Sequence, residues 1–167
     1  MRYKVFNGHS DYAFKVFHEQ RMGNISDLKD NYLPLMKKGG VQVEVFQVGG
    51  DFAIPHAGID GRDTITCLKI LESNLAQIRA NPDDFYLITD GNQLSTAKDD
   101  PKRGIIFSME GASALAAGPQ MLPIFYELGL RSVALCKRPG RSHRDSPARR
   151  CTGKTRLFNG RYQQYFV

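Results

Sequence analysis

Four short apolar runs, separated by segments with helical spacing, constrain the fold of this chain more than any other feature. The runs are "VQVEVFQV" at 41–48, "FYLIT" at 85–89, "GIIFSM" at 104–109 and "SVALC" at 132–136. The runs at 85–89 and 104–109 are typical of buried strands in a parallel sheet. The run at 41–48 is β-branched and alternates at first, which also predicts a strand, and 132–136 is predicted as the last strand. Because helical segments recur between most of the strands, the sequence predicts an α/β fold with parallel strands.

Other segments add one more strand and three helices to this alternation, and the helix over 63–80 is the clearest of them. The strand is predicted over 3–6, and the helices are predicted over 26–38, 63–80 and 119–128. Pro34 lies inside the first of these helices and is expected to shorten or kink it. The second helix is expected to bury one apolar side, which comprises Ile65, Leu68, Leu75 and Ile78.

Length and composition narrow the class of protein. The 167 residues predict one globular domain. No run of about 18 apolar residues occurs, so no membrane-spanning helix is expected. The N-terminus lacks a hydrophobic signal segment, so the cytoplasm is the expected location. The cysteines Cys67, Cys136 and Cys151 form no C-x-x-C pair, which argues against a disulfide framework and against a thiolate zinc site.

The net charge of +6 is concentrated late in the chain. Residues 137–161 hold nine basic residues and one acidic residue, whereas the rest of the chain is slightly acidic. The same segment has almost no apolar residue before Leu157, so it lacks the material of a packed core. The sequence therefore predicts a folded unit over 1–136 without a nucleic-acid footprint, followed by a basic, low-order tail over 137–167.

Metal-binding residue types occur at the ends of two predicted strands. His9 and Asp11 follow the first strand two positions apart, and Glu110 directly follows "GIIFSM". Alternate residues of an extended chain point to the same side, and an imidazole beside carboxylates suits zinc or a similar divalent ion. Other interpretations remain open. His9 and Asp11 also fit an ordinary loop, and Glu110 also fits a helix start, where its charge favours the helix dipole.

Four separated motifs together resemble a known family. The motifs "NGHSD", "KKGGVQVEVFQV", "GIIFSMEGASAL" and "LPIFYELGLRSVAL" match the membrane dipeptidase (renal dipeptidase) family of zinc peptidases in order and spacing, over residues 3–135. The resemblance implies a (β/α)8 TIM barrel related to the amidohydrolases, with two zinc ions at the carboxyl ends of the strands. It also implies that His9 and Asp11 bind one zinc and that Glu110 bridges both. In that family, a water between the ions attacks the peptide bond of a dipeptide.

The chain also departs from the family pattern. Asn7 stands where the family usually has an acid, and Ala112 stands where it often has a second glycine. After Leu135, the further barrel strands, the two zinc histidines, the catalytic aspartate and the substrate-binding arginine of the family are not recognisable. The expectation is therefore a frameshifted or truncated member with an incomplete barrel, inactive alone, whose open sheet edges invite self-association.

Two alternative functions compete with the dipeptidase interpretation. In the first, a short but active metallohydrolase completes its site with His56 or His143. In the second, the chain is a binding module whose basic tail contacts nucleic acid or an acidic membrane surface, with a steep dependence on salt. The sequence favours the dipeptidase interpretation, with a dipeptide as substrate, zinc as cofactor, and no nucleic acid as partner.

Overall fold

A mainly parallel, six-stranded sheet organises the part of the chain that the computed structural model describes, residues 3–118, 120–135 and 156–157. The strands are β1 Val5–Ser10, β2 Val41–Gly50, β3 Ala53–Ile54, β4 Ile59–Asp60, β5 Phe85–Leu87, β6 Arg103–Glu110, β7 Leu130–Ala134 and β8 Arg156–Leu157. The α-helices are α1 Tyr12–Arg21, α2 Leu33–Gly39, α3 Thr64–Ala80, α4 Gly91–Thr96 and α5 Met121–Glu127.

The order of the strands places the carboxyl ends of the five parallel strands on the same side of the large sheet. The order is β1-β2-β6-β7-β8, and the short β5 pairs with the first residues of β6. Every pairing in this sheet is parallel except that of β7 with β8, and β3 and β4 form a separate antiparallel pair. The predicted α/β fold with parallel strands is confirmed. Parallel strands connected by helices bring the residues at their carboxyl ends together at one side of the fold.

The two faces of the sheet have different coverings. On β6, Phe107 and Met109 belong to the main core, which includes buried residues of α1, α2, α3 and α5. Ile106 points to the opposite face, where it joins Val43 and Val45 in a smaller apolar cluster. Because side chains alternate along a strand, Ser108 and Glu110 lie on the same face as Ile106. Helices α1, α2, α3 and α5 therefore cover one face of the large sheet. The other face has the smaller apolar cluster, against which Leu94 of α4 packs, and polar groups towards the strands' carboxyl ends.

Several local elements differ from those that the sequence predicted. Helix α1 was not predicted, and the region 26–38 forms a π-helical turn over Leu28–Tyr32 before α2. Pro34 is tolerated because it occupies the first turn of α2, where the backbone N–H groups have no partner within the helix. The prediction that Ile65 lies on the buried side of α3 is wrong, since its exposed fraction is 56%.

The outermost strands of the large sheet concern two predictions, the basic tail and self-association of the chain. Strand β8 lies within the predicted tail, where no strand was expected, and the other residues of that tail lie outside the described residues. At the opposite end, β1 pairs with β2 alone among the described strands, and Phe6 on β1 is 54% exposed. Such an edge can pair with another chain, so self-association stays a prediction. In the part of the chain that is described, no helix combines the length and the apolar character needed to cross a membrane.

Candidate metal centre

The end of β1 positions two of the predicted metal ligands. His9 is the next-to-last residue of β1, and Asp11 directly precedes α1. An aspartate at this position usually caps the helix with its side chain, but the Asp11 side chain makes no capping hydrogen bond. Its Oδ1 atom instead lies 3.6 Å from His9 Nε2. The sequence of β1 and its turn therefore presents an imidazole and a carboxylate side by side.

The third candidate ligand comes from a strand that is not adjacent to β1. Glu110 is the last residue of β6, and β2 lies between β1 and β6 in the sheet. The side chain of Glu110 nevertheless reaches the same point, because its Oε2 atom lies 3.9 Å from His9 Nε2. The sequence placed Glu110 just after its strand, whereas the structure includes it as the strand's final residue.

The chemistry of this group suits a divalent metal ion. One potential ligand atom from each of His9, Asp11 and Glu110 lies within 4.8 Å of the other two. An imidazole nitrogen with carboxylate oxygens is a donor set that zinc accepts. The side chains of His9 and Asp11 are 52% and 63% exposed, so the group is open to solvent and to a substrate. The structure thus brings the three predicted side chains together, and their role as ligands remains a prediction.

A buried polar network holds the end of β1 in place. The His9 backbone N–H donates to Asn7 Oδ1 over 3.3 Å, and Asn7 Nδ2 donates to Glu44 Oε1 over 2.7 Å. The Tyr32 hydroxyl donates to the same oxygen over 2.5 Å, and Glu44 is 1% exposed. Burial, together with the hydrogen bond to Glu44, raises the pKa of Tyr32 well above its ordinary value, so this hydroxyl stays a donor. The network ties β1 to β2 and to the turn before α2.

Sequence reasoning missed this network, although a signal was present. Glu44 is a charged residue within the apolar run "VQVEVFQV", and a buried carboxylate requires partners. Asn7, which the sequence analysis treated as a departure from the family pattern, is one of those partners. An amide can donate to Glu44 and accept from His9 at once, which an ionised acid cannot do.

A second set of contacts fixes the turn that follows Glu110. The Asp51 backbone N–H donates to the Glu110 carbonyl over 2.9 Å, and Asp51 Oδ1 accepts from the Ser113 N–H over 3.0 Å. Gly111 lies between these two contacts with φ of +112°, and a Cβ atom there would overlap the Asp51 carboxylate. Both the backbone conformation and the space at this position therefore require glycine. The turn sets the direction in which the chain continues after Glu110, the last residue of β6.

Substituting Gly111 by alanine is expected to destabilise the protein and to weaken metal binding. A residue forced into such a backbone conformation costs about 1–3 kcal/mol, and the overlap with Asp51 adds to that cost. The matched control is Gly91→Ala, because a Cβ atom at Gly91 meets no neighbouring atom. Urea denaturation of both variants should show a lower free energy of unfolding for Gly111→Ala alone. Equal stabilities would contradict the assignment of this turn.

Other residues considered from the sequence lie elsewhere. His56 is an exposed residue of a 3-10 helix over Pro55–Ala57, and within the described residues it does not join the candidate metal-binding group of His9, Asp11 and Glu110. His143 lies outside the described residues. Cys67 is buried, and burial raises the pKa of its thiol to about 12. Its Sγ–H donates to the Gly61 carbonyl, so Cys67 serves packing and not reaction.

Comparison with known proteins gives one family and several structures of the same fold. The membrane dipeptidase family, peptidase family M19, matches residues 1–150. A curated relative is 37% identical over 78 residues and is named an uncharacterized protein in the PQQ-III 3' region of Acinetobacter calcoaceticus. That match covers 45% of this chain and 24% of the relative. The family match extends past residue 136, where the sequence analysis placed its boundary.

Solved structures with a similar fold include two metallopeptidases and an amidohydrolase. The dipeptidase AC, a metallopeptidase of family M19, has a TM-score of 0.62 and 23% identity, over 78% of this chain and 42% of its own. A metallopeptidase from Rhodobacter sphaeroides, liganded with a phosphinate mimic of the dipeptide L-Ala-D-Ala, has a TM-score of 0.64 and 22% identity, over 81% of this chain and 46% of its own. An amidohydrolase from Pseudomonas aeruginosa has a TM-score of 0.51 and 19% identity, over 66% and 31%.

These matches bear on the fold and on its extent. The likeness to both metallopeptidases confirms the predicted fold class. It is a mixed α/β fold with a mainly parallel sheet, similar to the barrel-like structures of those proteins. The chain spans less than half the length of the solved dipeptidases that it matches. It therefore corresponds to part of the barrel of those proteins.

Proposed function

This chain belongs to the membrane dipeptidase family, peptidase family M19, and we propose from that premise that its metal-binding group serves the hydrolysis of dipeptides. The observation that carries the proposal is the convergence of His9, Asp11 and Glu110 at the carboxyl end of the sheet. In barrels with this arrangement of strands, that end carries the chemistry. The dipeptide mimic bound to the Rhodobacter sphaeroides relative supports a dipeptide as the class of substrate.

Zinc is the metal that we propose for this group. His9 would supply a neutral imidazole nitrogen, and Asp11 and Glu110 would supply carboxylate oxygens that balance the charge of the ion. By resemblance to the family, Glu110 would be shared between two ions. Bound zinc supplies a charge that polarises the peptide carbonyl and lowers the pKa of the attacking water. The exposure of the three side chains leaves them accessible to a small substrate.

We further propose that the 167-residue chain is inactive by itself. Among the described residues, the group offers three ligands, whereas a pair of zinc ions requires more. The large sheet also has fewer parallel strands, within the described part, than the eight of a closed barrel.

The direct test is to measure metal content and dipeptide hydrolysis on the same preparation. After dialysis against zinc-containing and then metal-free buffer, elemental analysis is expected to show less than one zinc per chain. Hydrolysis of L-Ala-D-Ala is expected to stay at the rate of the buffer control. Two tightly held zinc ions per chain, together with hydrolysis that a chelator abolishes, would contradict the proposed inactivity. Such a result would support the proposed dipeptidase reaction at the same time.

A further inference from the structure

Gln47 contacts the side of His9 that faces away from the carboxylates. It lies on β2, it is 3% exposed, and its Nε2 atom is 3.3 Å from His9 Nδ1. The Gln47 Oε1 atom is buried and has no hydrogen-bond partner among the described residues. A buried amide oxygen without a partner is costly and calls for an explanation. The contact with His9 provides one.

The two nitrogens of His9 face different environments. Nε2 lies 3.6 Å from Asp11 Oδ1 and 3.9 Å from Glu110 Oε2, so Nε2 is the nitrogen that points into the metal-binding group. A neutral imidazole carries one N–H, and a metal binds the nitrogen that lacks it. Binding through Nε2 therefore requires the proton on Nδ1. That N–H then requires an acceptor on the buried side of the ring.

We propose that Gln47 is a positioning residue that supplies this acceptor, an inference that rests on the proposed function. A half-turn of the terminal torsion exchanges the amide oxygen and nitrogen, and Oε1 then accepts the Nδ1–H of His9. The ring is held in the tautomer that leaves Nε2 available to zinc. Histidine ligands generally depend on such an outer partner, which fixes both the tautomer and the orientation of the ring.

Polar residues lie beside Gln47 on the neighbouring strands. Ser108 on β6 is its partner in the register of the two strands, and Ser132 on β7 is in turn the partner of Ser108. Gln47, Ser108 and Ser132 form a polar row across the large sheet, starting from His9. In the present orientation Gln47 Oε1 has no partner among the described residues, so the half-turn leaves the number of unpaired amide groups unchanged while the contact with His9 is kept.

Two substitutions separate positioning from packing. Gln47→Met keeps the length of the side chain but removes the acceptor, and it is expected to weaken zinc binding about 10–100-fold. Gln47→Glu keeps an acceptor at the same place, and it is expected to bind zinc within a few-fold of the unaltered chain. Calorimetric titration of the full chain with zinc measures both, and thermal melting without zinc verifies that each variant is folded. Unchanged affinity in Gln47→Met would overturn the proposal.

The tautomer itself provides a readout that does not depend on any variant. In the unaltered chain with 15N-labelled histidine, at a pH where the ring is neutral, the His9 spectrum is expected to show the proton on Nδ1. A proton on Nε2 would overturn the role of Gln47. His9→Ala distinguishes failure of the proposed metal centre from failure of the positioning role of Gln47. If His9→Ala lowers the zinc affinity while Gln47→Met leaves it unchanged, the proposed centre stands and the positioning role fails. If His9→Ala also leaves the zinc affinity unchanged, the proposed centre fails as well.

Discussion

Replacing His9 by alanine is expected to lower the zinc affinity of this chain by at least about a hundredfold. Loss of a partner outside the ligand set costs about 10–100-fold, and loss of a ligand itself should cost more. His9 stands between Asp11 and Glu110, since its Nε2 atom approaches both carboxylates. Without the imidazole, the two carboxylates, one after the end of β1 and one at the end of β6, have no common partner between them.

His56→Ala is the matched control for this experiment. His56 is also an exposed histidine, but it lies in a short 3-10 helix outside the metal-binding group. Its removal is expected to leave the affinity unchanged. The fold should survive both substitutions, because the His9 side chain is half exposed and the hydrogen bond to Asn7 uses the His9 backbone. A loss of affinity in His56→Ala would favour the alternative in which His56 completes the site.

Replacing Ile70 by alanine is expected to lower the free energy of unfolding by about 2–5 kcal/mol. Ile70 lies on α3 with no exposed surface, inside the main core. Its truncation removes buried apolar contacts and leaves a cavity that the surrounding helices and sheet fill only in part. Since a domain of this kind is stable by about 5–15 kcal/mol, the loss is a large share of its stability.

Ile65→Ala provides the comparison within the same helix. Ile65 and Ile70 undergo the same chemical change, so the contribution of helix propensity is nearly the same in both variants. Ile65 is 56% exposed, and its truncation is expected to change the stability by less than about 1 kcal/mol. Urea denaturation followed by circular dichroism measures both. Equal losses would mean that the exposed side of α3 is covered in solution, for example by a second copy of the chain.

The sequence predicted the elements whose signals are local. The run "GIIFSM" became the middle of β6, and the region 63–80 became α3, because a strand or helix with a clear period needs no distant information. Helix α1 was missed because its apolar positions fall in a short segment directly after the first strand. Ile65 was misplaced because spacing defines several possible apolar sides, and the packing against the sheet selects one of them.

The sequence alone determined the family, the class of fold and the identity of three candidate ligands. His9 and Asp11 are neighbours in the chain, so their proximity follows from local geometry. The approach of Glu110 to His9 depends on β2 pairing with both β1 and β6, which is a property of the folded sheet. The hydrogen bonds between Gln47 and His9, and between Asp51 and the turn after Glu110, depend on strand pairing in the same way. Strand pairing decided them, because it brings distant segments into contact at a register that no local signal specifies.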